Sequence, residues 1–507
     1  MHALTEIILT DLRYLIADLG AAGGIMSPSI YDTAQVIRLA PPKEGIWPAV
    51  DWLLEQQHAD GGWGDPAVPR ARDLPTLATL LALRSSDSRQ RTRDAIREGE
   101  LFLRRQAIFW TGGIPDDLTA GAELLLPTLF EEAVKIGMKI DTVPYHDLIA
   151  LGNRRRALIA RYRPSIGTTP LHSWEAWGDQ PDLDLVDPYG SIGHSPAATA
   201  RWIHDSQGNP ENDPARTAAT SYLEQAAAAS GVNIPGVVPT CWPIPRFEQA
   251  FGIHGVYLAG LIDHPGLAEV VQPQISDLAR SITPAGIGLS DTFAPDGDDT
   301  AATIAVLHAT GRPVDIQVLQ QFANKDHFCA WHGELQPSLS VTAHAIHTLR
   351  LLGHDTTPYE HYIITRQCSD GRWPGDKWNG SWLYTTWRCV IALHAAGHTT
   401  PIRRAVSALL TYQHADGGWG STTSNPEETA YATLMLRSLI QANIVQDDVR
   451  QSLQRGDRWL QQQYRPFVPS TVACWLGKEP YRPQRVSRVI ELTALLKSLN
   501  DLPNSMR

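Results

Sequence analysis

Segments that are apolar on nearly every face recur in the C-terminal half of the chain, as in TAATIAVLHATG (300–311), TAHAIHTLRLLG (342–353) and TAYATLMLRSLI (429–440). A helix of that composition has no face for solvent and belongs between two other layers. Their openings, Thr300-Ala301, Thr342-Ala343, Thr386-Trp387 and Thr429-Ala430, return about every 43 residues, one helical hairpin per step. A second repeat ends the helices in between: Gln57-His-Ala-Asp60-Gly-Gly-Trp63, Gln367-Cys-Ser-Asp370-Gly-Arg-Trp373 and Gln413-His-Ala-Asp416-Gly-Gly-Trp419. Asp-Gly makes a turn, and the Trp opens the next segment. The Gln amide is placed to bond backbone groups freed at a helix end while the indole packs over it, a clasp tying neighbouring outer helices together.

The pattern predicts an all-α chain of α/α toroids, in which buried helices form an inner ring with their N-termini grouped at one end. Five or six hairpins at this step need roughly 250 residues, so the chain holds about two toroids. Residues 256–507 supply one. Residues 45–255 supply the other, with their own clasp at Trp63 and Thr-initiated helices in PTLATLLALRS, from Pro75, and SPAATARWIHD, from Ser195. Residues 1–44, including Tyr31-Asp32-Thr33-Ala34, are expected to join the C-terminal barrel, with the other domain inserted after them.

Composition narrows the function. The chain has 507 residues, 43% of them hydrophobic, enough to bury large cores. Its 54 acidic and 43 basic residues give a net charge of -11 without a compensating basic stretch, which argues against nucleic acid as partner. Five cysteines without paired spacing suggest neither a disulfide framework nor a zinc site, and a reducing compartment fits them. Glu6, Asp11, Arg13 and Asp18 interrupt the N-terminal apolar stretch, and no run elsewhere is long enough to span a bilayer, so a cytoplasmic location is expected.

Ala294-Pro-Asp296-Gly-Asp298-Asp299-Thr300 sets three carboxylates directly before an inner helix. One of them suffices as an N-cap. A calcium loop fails, because its sixth position is Ala301 rather than Gly and its twelfth is Leu307 rather than Glu. Carboxylates this close do not all ionise cheaply, so the cluster is expected to hold a proton near neutral pH. Asp298 is the expected donor, oriented by Asp296 and Asp299. Protonating an alkene, a very weak base, requires a dry cavity and aromatic faces around the resulting cation. Sixteen Trp provide such faces, among them Trp331, Trp378, Trp382 and Trp387 at turns or helix starts.

Those residues resemble the class II diterpene cyclases, whose mark is Asp-x-Asp-Asp, here Asp296-Gly297-Asp298-Asp299. The resemblance spans nearly the whole chain: SIYDTAQV (29–36), WLLEQQHADGGWGD (52–65), PLHSWE (170–175), GHSPAATA (193–200), VVPTCWPIPRFE (237–248), GDKW (375–378) and WLGKEPY (475–481). It implies a pair of α-barrels, called β and γ, with the active site between them. Residues 1–44 and 256–507 then form the β domain and 45–255 the inserted γ domain. It also implies geranylgeranyl diphosphate as substrate, assistance by Mg²⁺, a bicyclic product that keeps its diphosphate, and a class I diterpene synthase as functional partner. The absence of an Asp-Asp-x-x-Asp cluster agrees with retention of the diphosphate.

Lys377 matches a lysine that faces the diphosphate in plant relatives, and Arg154 and Arg156 lie where another cation of that kind is expected. With Trp378, Trp331, Trp382, Phe293 and Glu175 they make the expected substrate-binding set; the metal ligands are left open. His172 matches the histidine that, with an asparagine, holds the proton-accepting water in copalyl diphosphate synthases. Thr240 stands where that asparagine would be and is a poorer partner for water. Late quenching permits hydride and methyl shifts, so a rearranged, kolavenyl-type diphosphate is the expected product, with a copalyl or halimadienyl diphosphate next. Squalene–hopene-type triterpene cyclases share the motif and both barrels. An α/α-toroid glycosidase would need a second carboxylate across the cavity, which the sequence does not offer. A non-catalytic toroid that binds a prenylated or peptide partner is the remaining reading.

Overall fold

The computed structural model describes residues 2–86, 89–114, 118–334, 336–445 and 447–500. The first half holds α1 (His2–Ala17), α2 (Ile30–Leu39), α3 (Trp47–Glu55), α4 (Asp73–Ser86), α5 (Gln90–Gln106), α6 (Ala122–Lys135), α7 (His146–Tyr162), α8 (Pro196–Asp205) and α9 (Asp213–Ala229). The second holds α10 (Pro245–Leu258), α11 (Ala268–Ser281), α12 (Gly297–Ala309), α13 (Gln317–Gln320), α14 (Leu339–Leu351) and α15 (Thr357–Thr365). It continues with α16 (Trp382–Ala395), α17 (Thr400–Tyr412), α18 (Pro426–Gln441), α19 (Asp447–Gln463) and α20 (Gln484–Asn500). Between the last two, β1 (Trp475–Leu476) and β2 (Pro480–Tyr481) form an antiparallel hairpin pairing Trp475 with Tyr481.

Helices α10, α12, α14, α16, α18 and α20 each pack on the next, and α20 returns to α10, closing an inner ring. Helices α11, α13, α15, α17 and α19 lie outside it, and α1 covers α20 and α11. A smaller ring runs α2, α4, α6, the 3₁₀ segment Thr169–Ala176, α8 and back to α2, with α3, α5, α7 and α9 outside. One expectation is corrected here. Tyr31 to Ala34 lie on α2, which packs on α4 and α8 of the smaller ring rather than in the C-terminal barrel. The chain changes barrel between α1 and α2, because Ile8, Leu12 and Ile16 join the C-terminal core whereas Tyr31, Ala34 and Ile37 join the N-terminal one.

The clasp is built as its residues suggest. Gln57 Nε2 donates to Gly61 O in its own turn and to Ala95 O on α5; Gln367 Nε2 bonds Gly371 O and Pro401 O on α17; Gln413 Nε2 bonds Gly417 O and Ser452 O on α19. Each indole N–H returns to a carbonyl at the end of the preceding helix: Trp63 to Leu53, Trp373 to Ile363 and Trp419 to Leu409. The inner helices start earlier than the Thr-Ala pairs suggest, capped by Asp296, Ser338, Ser381 and Asn425. The threonines sit one turn in, where Thr300, Thr342, Thr386 and Thr429 accept the backbone N–H of Ile287, Phe328, Trp373 and Trp419.

Candidate active site

The caps bring the N-termini of the inner helices to one mouth of the C-terminal barrel, facing the other barrel. Between the two lies a cavity of about 770 Å³, within the ~300–1,000 Å³ usual for small-molecule sites. The N-terminal barrel contributes Leu118 to Gly121, Glu123 and Leu124, Arg155 and Leu158 on α7, and His172 to its wall; the C-terminal barrel contributes the acid cluster and most of the aromatic rings.

Asp296, Asp298 and Asp299 all reach the cavity, and their roles separate by geometry. Asp296 is the cap of α12: its Oδ1 accepts from the backbone N–H of Asp298 (2.9 Å) and Asp299 (2.8 Å). That bond needs one oxygen and leaves two carboxyl groups with other work. Asp299 is buried beside Asp296, and loss of solvent raises both acids, Asp296 to about 7. Asp298 projects further, with 14% of its side chain accessible, and its Oδ1 meets Nδ1 of His344 on α14. Burial, and then the charge of Arg388, push His344 below its ordinary value, while Asp298 opposes them. His344 escaped the sequence reading because it lies on another helix; its polarity inside the apolar run TAHAIH is the signal that was available.

Aromatic faces line the cavity as expected from Trp331, Trp378 and Phe293, with the two indoles edge to face at 5.0 Å. Phe247, Phe251, Trp475 and Tyr481 add rings that periodicity did not single out. Phe251 and Trp475 meet at 5.4 Å, and the Trp475 indole N–H is fixed on Glu427 Oε1 at 2.9 Å. Trp382 does not face the cavity. As the first residue of α16 it points outward, against Tyr412 and the Arg372 guanidinium. Trp387 stacks on Tyr431 inside the barrel instead.

Lys377 lines the cavity, only 4% exposed, and pairs with Glu334 at 2.5 Å. Of the three consecutive arginines Arg154 to Arg156 on α7 the cavity residue is Arg155, paired with Glu123. Arg154 faces solvent, and Arg156 turns to Thr128 and Glu131. A helix rotates about 100° per residue, so neighbours on α7 cannot share the direction of Arg155. Glu175 also lies outside the cavity, buried beneath Lys478 at 2.7 Å.

His172 and Thr240 both line the cavity. His172 Nδ1 lies 2.9 Å from Gly193 O, which fixes the proton on that nitrogen and leaves Nε2 as acceptor. Burial, with the nearby Lys478 charge, drives its pKa down to about 3, so the ring is neutral. The arrangement places a carboxyl cluster able to hold protons, an aromatic chamber and a cation–carboxylate rim around one cavity.

Comparison with known proteins agrees. Residues 313–466 match the family described as squalene-hopene cyclase C-terminal domain. The chain is 48% identical to (+)-kolavenyl diphosphate synthase of Herpetosiphon aurantiacus over 98% of each protein, and 32% identical to copalyl diphosphate synthase of Streptomyces cyslabdanicus over 93% of this chain and 92% of that protein. The structure of ent-copalyl diphosphate synthase from Streptomyces platensis superposes with a TM-score of 0.80 at 26% identity, covering 96% of this chain and 99% of that one. Together with the double barrel and the Asp296-x-Asp298-Asp299 mouth, they establish that the chain belongs to the bacterial class II diterpene cyclases.

Proposed function

We propose that the substrate is geranylgeranyl diphosphate and the product kolavenyl diphosphate, with Asp298 as the acid. In this reading the Asp298 carboxyl gives its proton to the terminal carbon–carbon double bond. The adjacent carbon becomes a tertiary cation, and neighbouring double bonds close two rings in turn. The diphosphate takes no part, and the rings of Phe251, Trp331, Trp378 and Trp475 offer their negative faces to the moving charge. Hydride and methyl shifts then carry the charge around the bicycle until a proton leaves. The observation that carries the reading is Asp298: it is free of the cap that occupies Asp296, has a histidine rather than another carboxylate as its partner, and keeps 14% of its side chain accessible on the wall of an aromatic-lined cavity.

The 48% identical relative is named for a kolavenyl product, which agrees with Thr240, on the wall of the same cavity as His172, standing where a water-holding asparagine is absent. Arg155 and Lys377 supply charge for the diphosphate. Its arrival would release Glu123 and Glu334, whose hard carboxylate oxygens suit Mg²⁺, an ion that takes one or two carboxylates together with phosphate oxygens. Such an ion would neutralise diphosphate charge. Because that group survives, a class I enzyme able to ionise it is the expected consumer. Five free cysteines fit a cytoplasmic setting, and none of the described helices is long and apolar enough to cross a membrane.

The test is incubation with geranylgeranyl diphosphate and Mg²⁺, phosphatase treatment and mass spectrometry beside authentic standards. A kolavenol peak, absent from Asp298→Ala and reduced by chelator, is the expected outcome. A copalol peak instead would overturn the product assignment, and conversion by Asp298→Ala would overturn the acid.

A further inference from the structure

The hairpin at 475–481 belongs by sequence to the C-terminal barrel, yet its tip is buried in the other one. Its base is held to the Lys377–Gly380 loop, with Leu476 N–H donating to Trp378 O and Gly380 N–H to Cys474 O. At the tip Lys478 is fully buried, its Nζ 2.6 Å from Ser195 Oγ, 2.7 Å from Glu175 Oε1 and 3.4 Å from Asp32 Oδ1. These partners come from three elements of the N-terminal ring: α2, the 3₁₀ segment and the cap of α8. Glu175 also accepts from Tyr31 OH, and Asp32 from Ser29 and Ala197, so the acceptors are themselves fixed. Ala120 N–H on the cavity wall donates to Gly477 O at 2.9 Å.

The outer surface of the same hairpin is cavity wall. Trp475, Leu476, Gly477 and Tyr481 all line it, and a side chain at position 477 would meet the Thr240 methyl at 3.4 Å. On the other side Glu175 follows His172 by three residues, across a kink at Ser173 in the same short segment. Tyr31 N–H also donates to Glu479 Oε1 at 3.3 Å, but of these ties it is the buried Lys478 ammonium that reaches the His172 segment, through Glu175, and so sets its distance from the wall holding Trp475. Leaving a buried charge without its counter-charge is costly, so the lock is tight.

We propose that Lys478 is a positioning residue: by pinning the hairpin tip to Glu175, Asp32 and Ser195 it sets the shape of the cavity wall and decides where the carbocation loses its charge. The proposal rests on the cyclisation described above. A loosened wall admits water, which adds its oxygen to the cation and gives up a proton, producing a bicyclic alcohol diphosphate. It equally permits proton loss before the shifts are complete.

The experiment compares products of wild type, Lys478→Met and Glu175→Gln on geranylgeranyl diphosphate, with hydrogen–deuterium exchange of the free proteins. Both variants are expected to consume substrate through Asp298, with at least a fifth of the product diverted to alcohol or less rearranged skeletons. Exchange is expected to rise more than threefold at 170–176 and 475–481 and to stay unchanged at 297–303. Should Lys478→Met fail to fold, Glu175→Gln decides alone, since it leaves Lys478 balanced by Asp32. A wild-type product profile from a folded variant overturns the role in product choice. If wild type itself leaves this substrate untouched, the substrate assignment falls, and the exchange data still judge the lock: unchanged exchange at both segments overturns it.

Discussion

At the residue scale, capping and the proposed acid chemistry fall in one motif, and they can be separated. Asn caps a helix as well as Asp, so Asp296→Asn is expected to keep the melting temperature within a few degrees while removing a proton-holding neighbour of Asp298. A fall in kcat on the order of 10²-fold with KM unchanged is expected; unchanged kcat would reduce Asp296 to a cap. The pH dependence has a definite sign. Burial raises Asp296 to about 7, so the cluster keeps that proton below this pH, and kcat is expected to decline as pH rises through 7. The same shift means that the folded state binds more protons than the unfolded one between roughly pH 4 and 7. This group's contribution to stability is therefore full below its unfolded value and is lost as pH approaches 7, which thermal melts across that range would register. That the carboxylate cluster lies on the cavity was legible because three carboxylates in four residues exceed what a cap needs. Arg155 was missed by one position on each side, because the run Arg154-Arg155-Arg156 does not state its helical phase.

At the element scale, the repeat records a backbone problem and its solution. Each outer helix ends with free carbonyls; in each clasp the indole satisfies one of them, while the amide ties the turn to the next outer helix. Gln413→Ala removes the two bonds from Nε2 and the one Gln413 Oε1 accepts from Ser452, at roughly 1 kcal/mol net for each. For a chain of this length unfolding as one unit the melting temperature is expected to fall by about 3 °C. Activity at 25 °C should be preserved, since the residue lies outside the cavity; an equally large loss of activity would show that the outer ring shapes the site. The clasps were readable because their spacing is fixed by a local turn. The inner helices were found but started too late, because Thr300, Thr342, Thr386 and Thr429 mark a bond to an incoming strand of backbone and the caps lie one turn before.

At the scale of the whole molecule, the two barrels share one cavity, one hairpin and an N-terminal segment divided between them. Sequence periodicity revealed both rings but misassigned α2, because helix pattern shows that a face is buried without naming the barrel that buries it. Helix α1 illustrates the consequence. Ile8, Leu12 and Ile16 are fully buried against the C-terminal core, and Asp11 accepts from Arg488, Tyr464 and the Phe467 N–H. Leu12→Ala is expected to cost about 2–5 kcal/mol by opening a cavity beside α20. If the barrels unfold as one unit, tryptophan fluorescence, which reports on both, and cyclase activity should lose signal at the same, lowered urea concentration. If the N-terminal barrel stands alone, fluorescence will show a second, unshifted transition after activity has gone. The buried Lys478 contact favours the first outcome, since melting of either barrel strands a charge belonging to the other. Coincident midpoints in wild type and Leu12→Ala, displaced together, would therefore establish that α1, packed on α20 and α11 of the C-terminal barrel, stabilises the wall that carries His172.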